Sequence, residues 1–241
     1  MKDDLDQLLR SLHLRKISEI FDEEAKRADK ADLSYQELLA RLLRAQWQAN
    51  QEAALAWRID RARLPEQWTL ETFPWKRQPG VNQRQLRTFA ELEFIPKAEN
   101  IVFVGPTGVG KTGLASGLLL KALQNGHRGI FMRAQDLFDE MYASLADRST
   151  RKMLKHLARL DVLVIDEMGY LNLKPEQTNI FFKLMEERHH RYPTLITTNL
   201  PYAAWQDFLG NRALTQALLS RLRERCHTVI IEGPCLRAQQ G

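Results

Sequence analysis

The stretch "IVFVGPTGVGKTGLAS", residues 101–116, constrains this chain more than any other. A β-branched run leads into a glycine-rich turn with the spacing Gly-x-x-x-x-Gly-Lys-Thr, and a helical apolar pattern follows at once. Gly105, Gly108 and Gly110 let the backbone turn tightly enough for successive N–H groups to converge on phosphate oxygens, backed by the positive end of the helix. In such a turn Lys111 reaches the β- and γ-phosphates and the Thr112 hydroxyl holds Mg²⁺. Gly105, Pro106, Thr107, Gly108, Val109, Gly110, Lys111 and Thr112 are therefore the expected nucleotide cradle. Kinases, switches, motors and assembly ATPases all use one, so the surrounding residues must decide the function.

Two later strands narrow the choice. "VLVIDE", residues 162–167, is an apolar run that ends in two carboxylates, costly to place there unless they serve a site. Asp166 is expected at the Mg²⁺, and Glu167 is expected to activate a water for attack on the γ-phosphate. A metabolite kinase needs no such glutamate, so the pair favours hydrolysis. "TLITTNLP", residues 194–201, ends a third strand in polar residues and places Asn199 to bond the attacking water or the γ-phosphate. Asn-Leu-Pro is also ordinary turn chemistry, and only its company makes it a sensor.

Around these motifs strands and helices alternate. Helices are expected over about 82–94, 135–145, 149–159 and 175–190, with a long one through "ALTQALLSRLRERC" and a last strand "TVIIEG". That alternation implies an α/β fold, a mostly parallel sheet flanked by helices. The first 67 residues read differently, as an all-helical module preceding an ATPase domain over 68–241. Leu5, Leu8, Leu9 and Leu12, then Ile17, Ile20 and Phe21, suggest two short amphipathic helices. Ser34 and Glu37 form a capping box with Leu33 and Leu38 as a staple, and the helix they start runs unbroken to Pro65, roughly 40 Å. Trp47, Trp57, Trp68 and Trp75 are expected mainly in cores.

A net charge of +5 and 44% apolar residues describe a globular chain, mildly basic and inclined toward a polyanion. No long apolar run or signal-like N-terminus is present, so a cytoplasmic protein without a membrane role is expected. Cys226 and Cys235 lack Cys-x-x-Cys spacing, which argues against a disulfide framework or a zinc site. His156, His189 and His190 have no carboxylate or cysteine grouping at ligand spacing and read as surface or packing residues. "STRKMLKHLARLD" sets Arg151, Lys155 and Arg159 on one helical face with Arg148 and Lys152 beside them, a cationic stripe suited to solvent or to a nucleic-acid backbone.

Together, "LSYQELLARLL", "FIPKAENIVFVGPTGVGKTGLA", "DVLVIDEMGYLNL", "TLITTNLPYAAW" and "ALLSRLRERCHTVIIEG" resemble, in order and spacing over nearly the whole length, the IstB-like transposition helper ATPases of the DnaC-like AAA+ clade. The resemblance implies an AAA+ P-loop core, ATP hydrolysis with Mg²⁺, homo-oligomerisation through the ATP site, largely non-specific binding to double-stranded DNA, and recruitment and stimulation of a cognate transposase. It makes Gly105 to Thr112 the Walker A motif, Asp166 and Glu167 the Walker B motif, and Asn199 sensor 1. Arg221 falls at the family's box VII arginine, a finger acting in a neighbour's site, and Arg237 at a late sensor 2 arginine, although "GPCLR" departs from the usual "GESYR". The alternative within the same clade is a replicative helicase loader. Outside it stand a small-molecule kinase and a nucleotide-gated DNA scaffold that does not hydrolyse.

Overall fold

The computed structural model describes residues 2–65, 68–169 and 173–237. Tyr170, Leu171 and Asn172 of "DEMGYLNL" lie outside the described residues, as does residue 67, where the sequence divides helical module from ATPase domain. By its internal contacts the chain forms two units, Met1–Trp57 and Arg58–Gly241.

In the first unit α1 (Lys2–Ser11) and α2 (Arg15–Lys30) precede α3, which begins at Tyr35 and continues to Arg61. Ser34 N–H donates to Glu37 Oε2 at 2.9 Å and Glu37 N–H donates to Ser34 Oγ at 3.3 Å, the reciprocal cap that fixes the start of α3. Leu9, Ile17 and Leu42 make a small core, with Leu5, Leu14, Ile20, Phe21 and Leu38 packed against it. Gln46 is buried on the same side of α3. Its Oε1 accepts the backbone N–H groups of Lys16 and Ile17 at 2.9 and 3.2 Å, two first-turn amides of α2 that have no carbonyl within their own helix. Trp47 and Trp57 do not fill a core: they are 66% and 57% exposed, because the face of α3 that packs is the one carrying Leu42 and Gln46.

The second unit runs α4 (Gln83–Ala90), β1 (Asn100–Val104), α5 (Lys111–Gln124), β2 (Gly129–Arg133), α6 (Ala134–Ala146), α7 (Thr150–Leu157), β3 (Val162–Met168), α8 (Pro175–Arg188), β4 (Thr194–Thr198), α9 (Trp205–Leu209), α10 (Arg212–Glu224) and β5 (Cys226–Ile230). The five strands lie in the order β2-β3-β4-β1-β5 and every pairing is parallel. Ile101, Val102, Phe103, Val162, Leu163, Val164, Leu195 and Ile196 are fully buried, as a sheet covered on both faces requires. Val102, Ile130, Leu163, Ile165 and Ile196 pack with residues of α6, α7, α8 and α10. On the other face, α5 comes so close that a Cβ on Gly129 would stand 2.4 Å from Leu119. The outer edge of β2 is partly covered, since Phe131 N–H donates to the Ala62 carbonyl at 2.7 Å.

Two boundaries and one short helix differ from expectation. α4 stops at Ala90, and hydrogen-bonded turns carry the chain onward through Leu92 and Ala98, both at positive φ. β5 starts at Cys226, because Asn100 to Val104 pair with Cys226 to Ile230. α9 is too short for periodicity to reveal, yet Trp205 within it is fully buried. No described helix is long and apolar enough to cross a membrane.

Arg188, at the end of α8, is 1% exposed. Its guanidinium donates to the carbonyls of Leu157 and Leu160 at 2.7 and 2.9 Å, to Thr194 Oγ1 at 3.0 Å and to the Pro193 carbonyl. One cation thus joins the end of α7, the loop before β3 and the start of β4. Arg188→Met keeps the volume and strands four buried acceptors, so chemical denaturation is expected to show a loss of about 3–5 kcal/mol. A loss below about 1 kcal/mol, the scale of an ordinary net hydrogen bond, contradicts that role.

Candidate nucleotide-binding site

β1, β4 and β3 are adjacent, so the segments that leave their carboxyl ends meet at one edge of the sheet, the usual ligand position in an open parallel sheet. The loop 105–110 leaves β1, Asp166 and Glu167 end β3, and Asn199 follows β4. Gly108 and Gly110 have φ of 84° and 96°, values that an L side chain rarely adopts. A Cβ on Gly108 would also stand 2.2 Å from Cys235 Sγ. Lys111 Nζ donates to the Gly105 and Pro106 carbonyls at 2.7 Å each, across the mouth of the loop. Thr112 Oγ1, in the first turn of α5, donates to Asp166 Oδ1 and Oδ2 at 2.9 and 3.1 Å. Thr197 Oγ1 donates to the same Oδ1.

Consecutive residues of a regular strand point to opposite faces, so Asp166 and Glu167 could not both serve one site without a departure from strand geometry. The departure is present. The β3–β4 register slips between Ile165 and Met168, and Glu167 takes φ of 59° while its N–H donates to Thr197 Oγ1 at 2.9 Å. This bulge leaves Asp166 buried at 2% exposure and Glu167 exposed, with both lining the same cleft. A left-handed glutamate costs on the order of 1–3 kcal/mol, held here by the sheet on either side.

The cleft encloses about 480 Å³. Besides the loop and acids it is lined by Thr197, Thr198, Asn199, Arg133 and Arg237, with Pro65, Trp68, Phe73 and Leu236 as an apolar wall. Burial pushes the Asp166 carboxyl above its ordinary value; bonds from Thr197 and Thr112 oppose the rise, Glu167 adds to it and Lys111 opposes it. Burial likewise pulls the Lys111 ammonium below its ordinary value, against the attraction of Asp166 and Glu167. Asn199 belongs to the cleft lining, and its Oδ1 is buried without a hydrogen-bond partner among the described residues, so close to Gly169 that a Cβ there would stand 3.0 Å from it.

Several residues in or behind the cleft escape sequence reasoning. Arg133, the last residue of β2, pairs in register with Asp166; a cation ending a parallel strand was the available signal. Thr197 was visible in "TTN" only as a polar strand end. Gln78 carried no signal at all. It is 1% exposed, and its Nε2 donates to the Val109 and Pro234 carbonyls at 3.0 Å each, clamping the phosphate loop to the C-terminal segment. That segment is tied again by Leu236 N–H, which donates to the Gly108 carbonyl at 2.8 Å.

Arg221 lies elsewhere. Its Nη2 is 3.4 Å from Glu186 Oε1 and its guanidinium stands 5.1 Å over the Phe182 ring, outside the cleft lining. The stripe of Arg151, Lys155 and Arg159 is exposed, as read from the sequence, and is wider than read: Lys183 and Arg191 join it around a groove of about 820 Å³ that contains one acid, Glu187. His189 and His190 correct the reading as isolated residues. Their Nε2 atoms lie 3.1 and 3.3 Å from the two carboxylate oxygens of Glu224, brought to them by the packing of α10 on α8.

Comparison with known proteins agrees with this geometry. The family profile described as IstB-like ATP binding protein matches residues 7–241. The chain is 32% identical, over 98% of its length and 89% of the relative's, to the ATP-binding protein of insertion sequence IS21 from Pseudomonas aeruginosa. It is 32% identical, over its whole length and 96% of the relative's, to that of insertion sequence IS5376 from Geobacillus stearothermophilus. Among solved structures it is similar to the DnaC helicase loader, with a TM-score of 0.54 and 25% identity over 62% of this chain and 88% of that one. AMPPCP-bound DnaA from Aquifex aeolicus shares the fold, with a TM-score of 0.58 and 20% identity over 70% of this chain and 51% of that one.

The raised Asp166 value gives a test of sign. A carboxyl whose folded pKa lies above its unfolded value destabilises the fold when ionised, and that cost fades as pH falls through the raised value toward 3.8. Asp166→Asn is therefore expected to melt at or above the wild type at neutral pH without nucleotide, with the difference closing in acid. A variant that melts lower at neutral pH contradicts this account of the site.

Proposed function

The chain belongs to the family of IstB-like ATP binding proteins, and from that premise we propose that it is a Mg²⁺-dependent ATPase that assembles on duplex DNA and recruits and stimulates a cognate transposase. The observation that carries the hydrolytic part is the bulge that turns both Asp166 and Glu167 to the phosphate loop, with Asn199 beside them. A loop that only gripped phosphate would have no use for the second carboxylate or its strained backbone.

Each side chain then has a task. Backbone N–H groups of 105–112 and the α5 N-terminus hold the phosphates, and Lys111 turns from the Gly105 and Pro106 carbonyls toward the β- and γ-phosphates. Pro65, Trp68 and Phe73 supply the apolar wall against which a base packs. The Thr112 hydroxyl and Asp166 carboxylate are hard oxygen donors within 2.9 Å of each other and fit Mg²⁺, which, when bound, neutralises charge on the phosphate oxygens. Glu167 takes the proton of the attacking water, and the Asn199 side-chain amide bonds that water or the γ-phosphate. Arg133 at the end of β2 and Arg237 in the C-terminal segment offer cations to the phosphates.

Arg221 is directed away from its own cleft and is assigned to the site of a neighbouring subunit, where it stabilises charge on the transferred phosphoryl group. Homo-oligomerisation through the ATP site follows from that assignment. The groove of Arg151, Lys155, Arg159, Lys183 and Arg191 is assigned to the DNA backbone, an electrostatic contact indifferent to sequence and weakened by salt. The N-terminal unit, whose α3 exposes Tyr35, Leu39, Leu43 and Trp47 at every fourth position, is assigned to partner contacts. With these assignments the protein works in the cytoplasm, where the DNA is. The likeness to the DnaC loader supports helicase loading as a second reading, and recovery of a hexameric helicase without transposase on co-purification would establish it instead.

Turnover decides hydrolysis. Phosphate release is expected with ATP, Mg²⁺ and duplex DNA, and ATP binding without release under those conditions would make the protein a scaffold. Glu167→Gln is expected to keep ATP binding and lose about 10²-fold or more in turnover. Arg221→Ala is expected to keep binding and lose about 10³-fold. Mixing the two variants restores part of the activity if Arg221 works in a neighbour's site, and no recovery at any ratio refutes that arrangement.

A further inference from the structure

Outside the nucleotide cleft, the turn after α8 and the last residue of α10 bring two imidazoles and a carboxylate together. His189 Nε2 lies 3.1 Å from Glu224 Oε2, and His190 Nε2 lies 3.3 Å from Glu224 Oε1. One donor atom from each of the three residues falls within 4.8 Å of the others, the only such three-residue grouping of histidine, cysteine and carboxylate among the described residues. Donors bound at about 2.0–2.1 Å around a tetrahedral ion stand about 3.3 Å apart, and each imidazole Nε2 lies at about that separation from one oxygen of the Glu224 carboxylate, His189 from Oε2 and His190 from Oε1. From this geometry we infer that His189, His190 and Glu224 form a binding site for a borderline divalent transition metal, Zn²⁺ foremost, distinct from the Mg²⁺ position at Thr112 and Asp166.

The positions of the three donors are set by the fold. His189 N–H caps α8, donating to the Met185 and Glu186 carbonyls at 3.0 and 3.3 Å. The next turn is closed by Arg191 and Tyr192 N–H groups donating to the Arg188 carbonyl at 3.0 Å each, and Arg188 itself is locked in the core. His190 takes φ of 58°, which folds its ring back to within 3.9 Å of the His189 ring, centroid to centroid. Glu224 rides on α10, which packs along α8. Little rearrangement is needed to aim all three donors at one ion, and water completes the shell on the exposed side.

The donor set selects the ion class. Two imidazoles with one carboxylate favour Zn²⁺ and its neighbours over Mg²⁺ or Ca²⁺, which prefer oxygen throughout. The surrounding charge works against tight binding. Arg221 and Arg225 both act on His189, and Glu186, the ion-pair partner of Arg221, offsets only the first. The site is therefore of the exchangeable kind, loaded and emptied with the metal supply. Neither the phosphate loop nor the acids of β3 take part in it.

Calorimetric titration of the full chain with Zn²⁺, without nucleotide, tests the inference, with Co²⁺ absorption reporting the coordination geometry. One equivalent is expected to bind to the wild type, and equally to His227→Ala, which removes the imidazole paired with Glu99 elsewhere on the surface. His190→Ala and Glu224→Gln are each expected to weaken binding about tenfold or more, at least the effect of disturbing a ligand's outer partner. Glu224→Gln is isosteric, so it carries the test if His190→Ala lowers the melting temperature. Absence of zinc uptake by the wild type, or unchanged affinity in Glu224→Gln, overturns the site.

Discussion

The Asp166 carboxylate is the point on which the rest of the second unit turns. It is buried, and it is held by two hydroxyls that arrive from other elements: Thr112 from the first turn of α5 and Thr197 from β4. Those bonds tie the end of β3 to β4 beside it and to the first turn of α5, the helix that follows the phosphate loop. Burial alone disfavours the charge, and only hydroxyl donors and the nearby Lys111 make it tolerable. A fold that accepts this cost at one edge of an otherwise apolar sheet has arranged that edge for a charged ligand.

The same edge shows how local distortion and long-range packing combine. The bulge at Asp166 and Glu167 uses backbone strain to break the alternation of a strand, and Thr197 steadies it by accepting the Glu167 N–H. On the other side of the loop, Gln78 and the segment from Ile231 to Arg237 hold the cradle from behind: Ile231 N–H donates to the Val104 carbonyl at 2.8 Å and Leu236 N–H to that of Gly108. The phosphate loop is thus supported by stretches more than a hundred residues apart in sequence. Movement of the C-terminal segment would be felt directly at the glycines that shape the cradle.

Much of this was legible in the residues themselves. The strand, loop and helix at 101–116 follow from β-branching, glycine spacing and an apolar helical period, and the Ser34 and Glu37 cap from a four-residue pattern. Features that depend on which elements become neighbours were not legible. Adjacent Asp and Glu announce a site, but nothing local says that β3 will bulge so that both face it. Gln78 looks like any loop glutamine until the Val109 and Pro234 carbonyls converge on it. Lys183 and Arg191 join the α7 stripe, and Glu224 joins His189 and His190, only because α8 packs beside α7 and α10. Trp47 and Trp57, expected in cores, stand exposed, because Gln46, a polar residue, takes the packed position on α3 to cap α2.

Arg221 stands outside its own cleft while the loop, acids and Asn199 stand inside it, and in the proposed function the cleft is one half of a catalytic site whose other half comes from a second copy of the chain. Electron cryomicroscopy of the protein assembled on duplex DNA with Mg²⁺ and a slowly hydrolysed ATP analogue tests this most directly. Nucleotide is expected in the 105–112 loop with Arg221 of the adjacent subunit at its γ-phosphate. Nucleotide bound in the loop with every neighbouring Arg221 remote from it would contradict the claim.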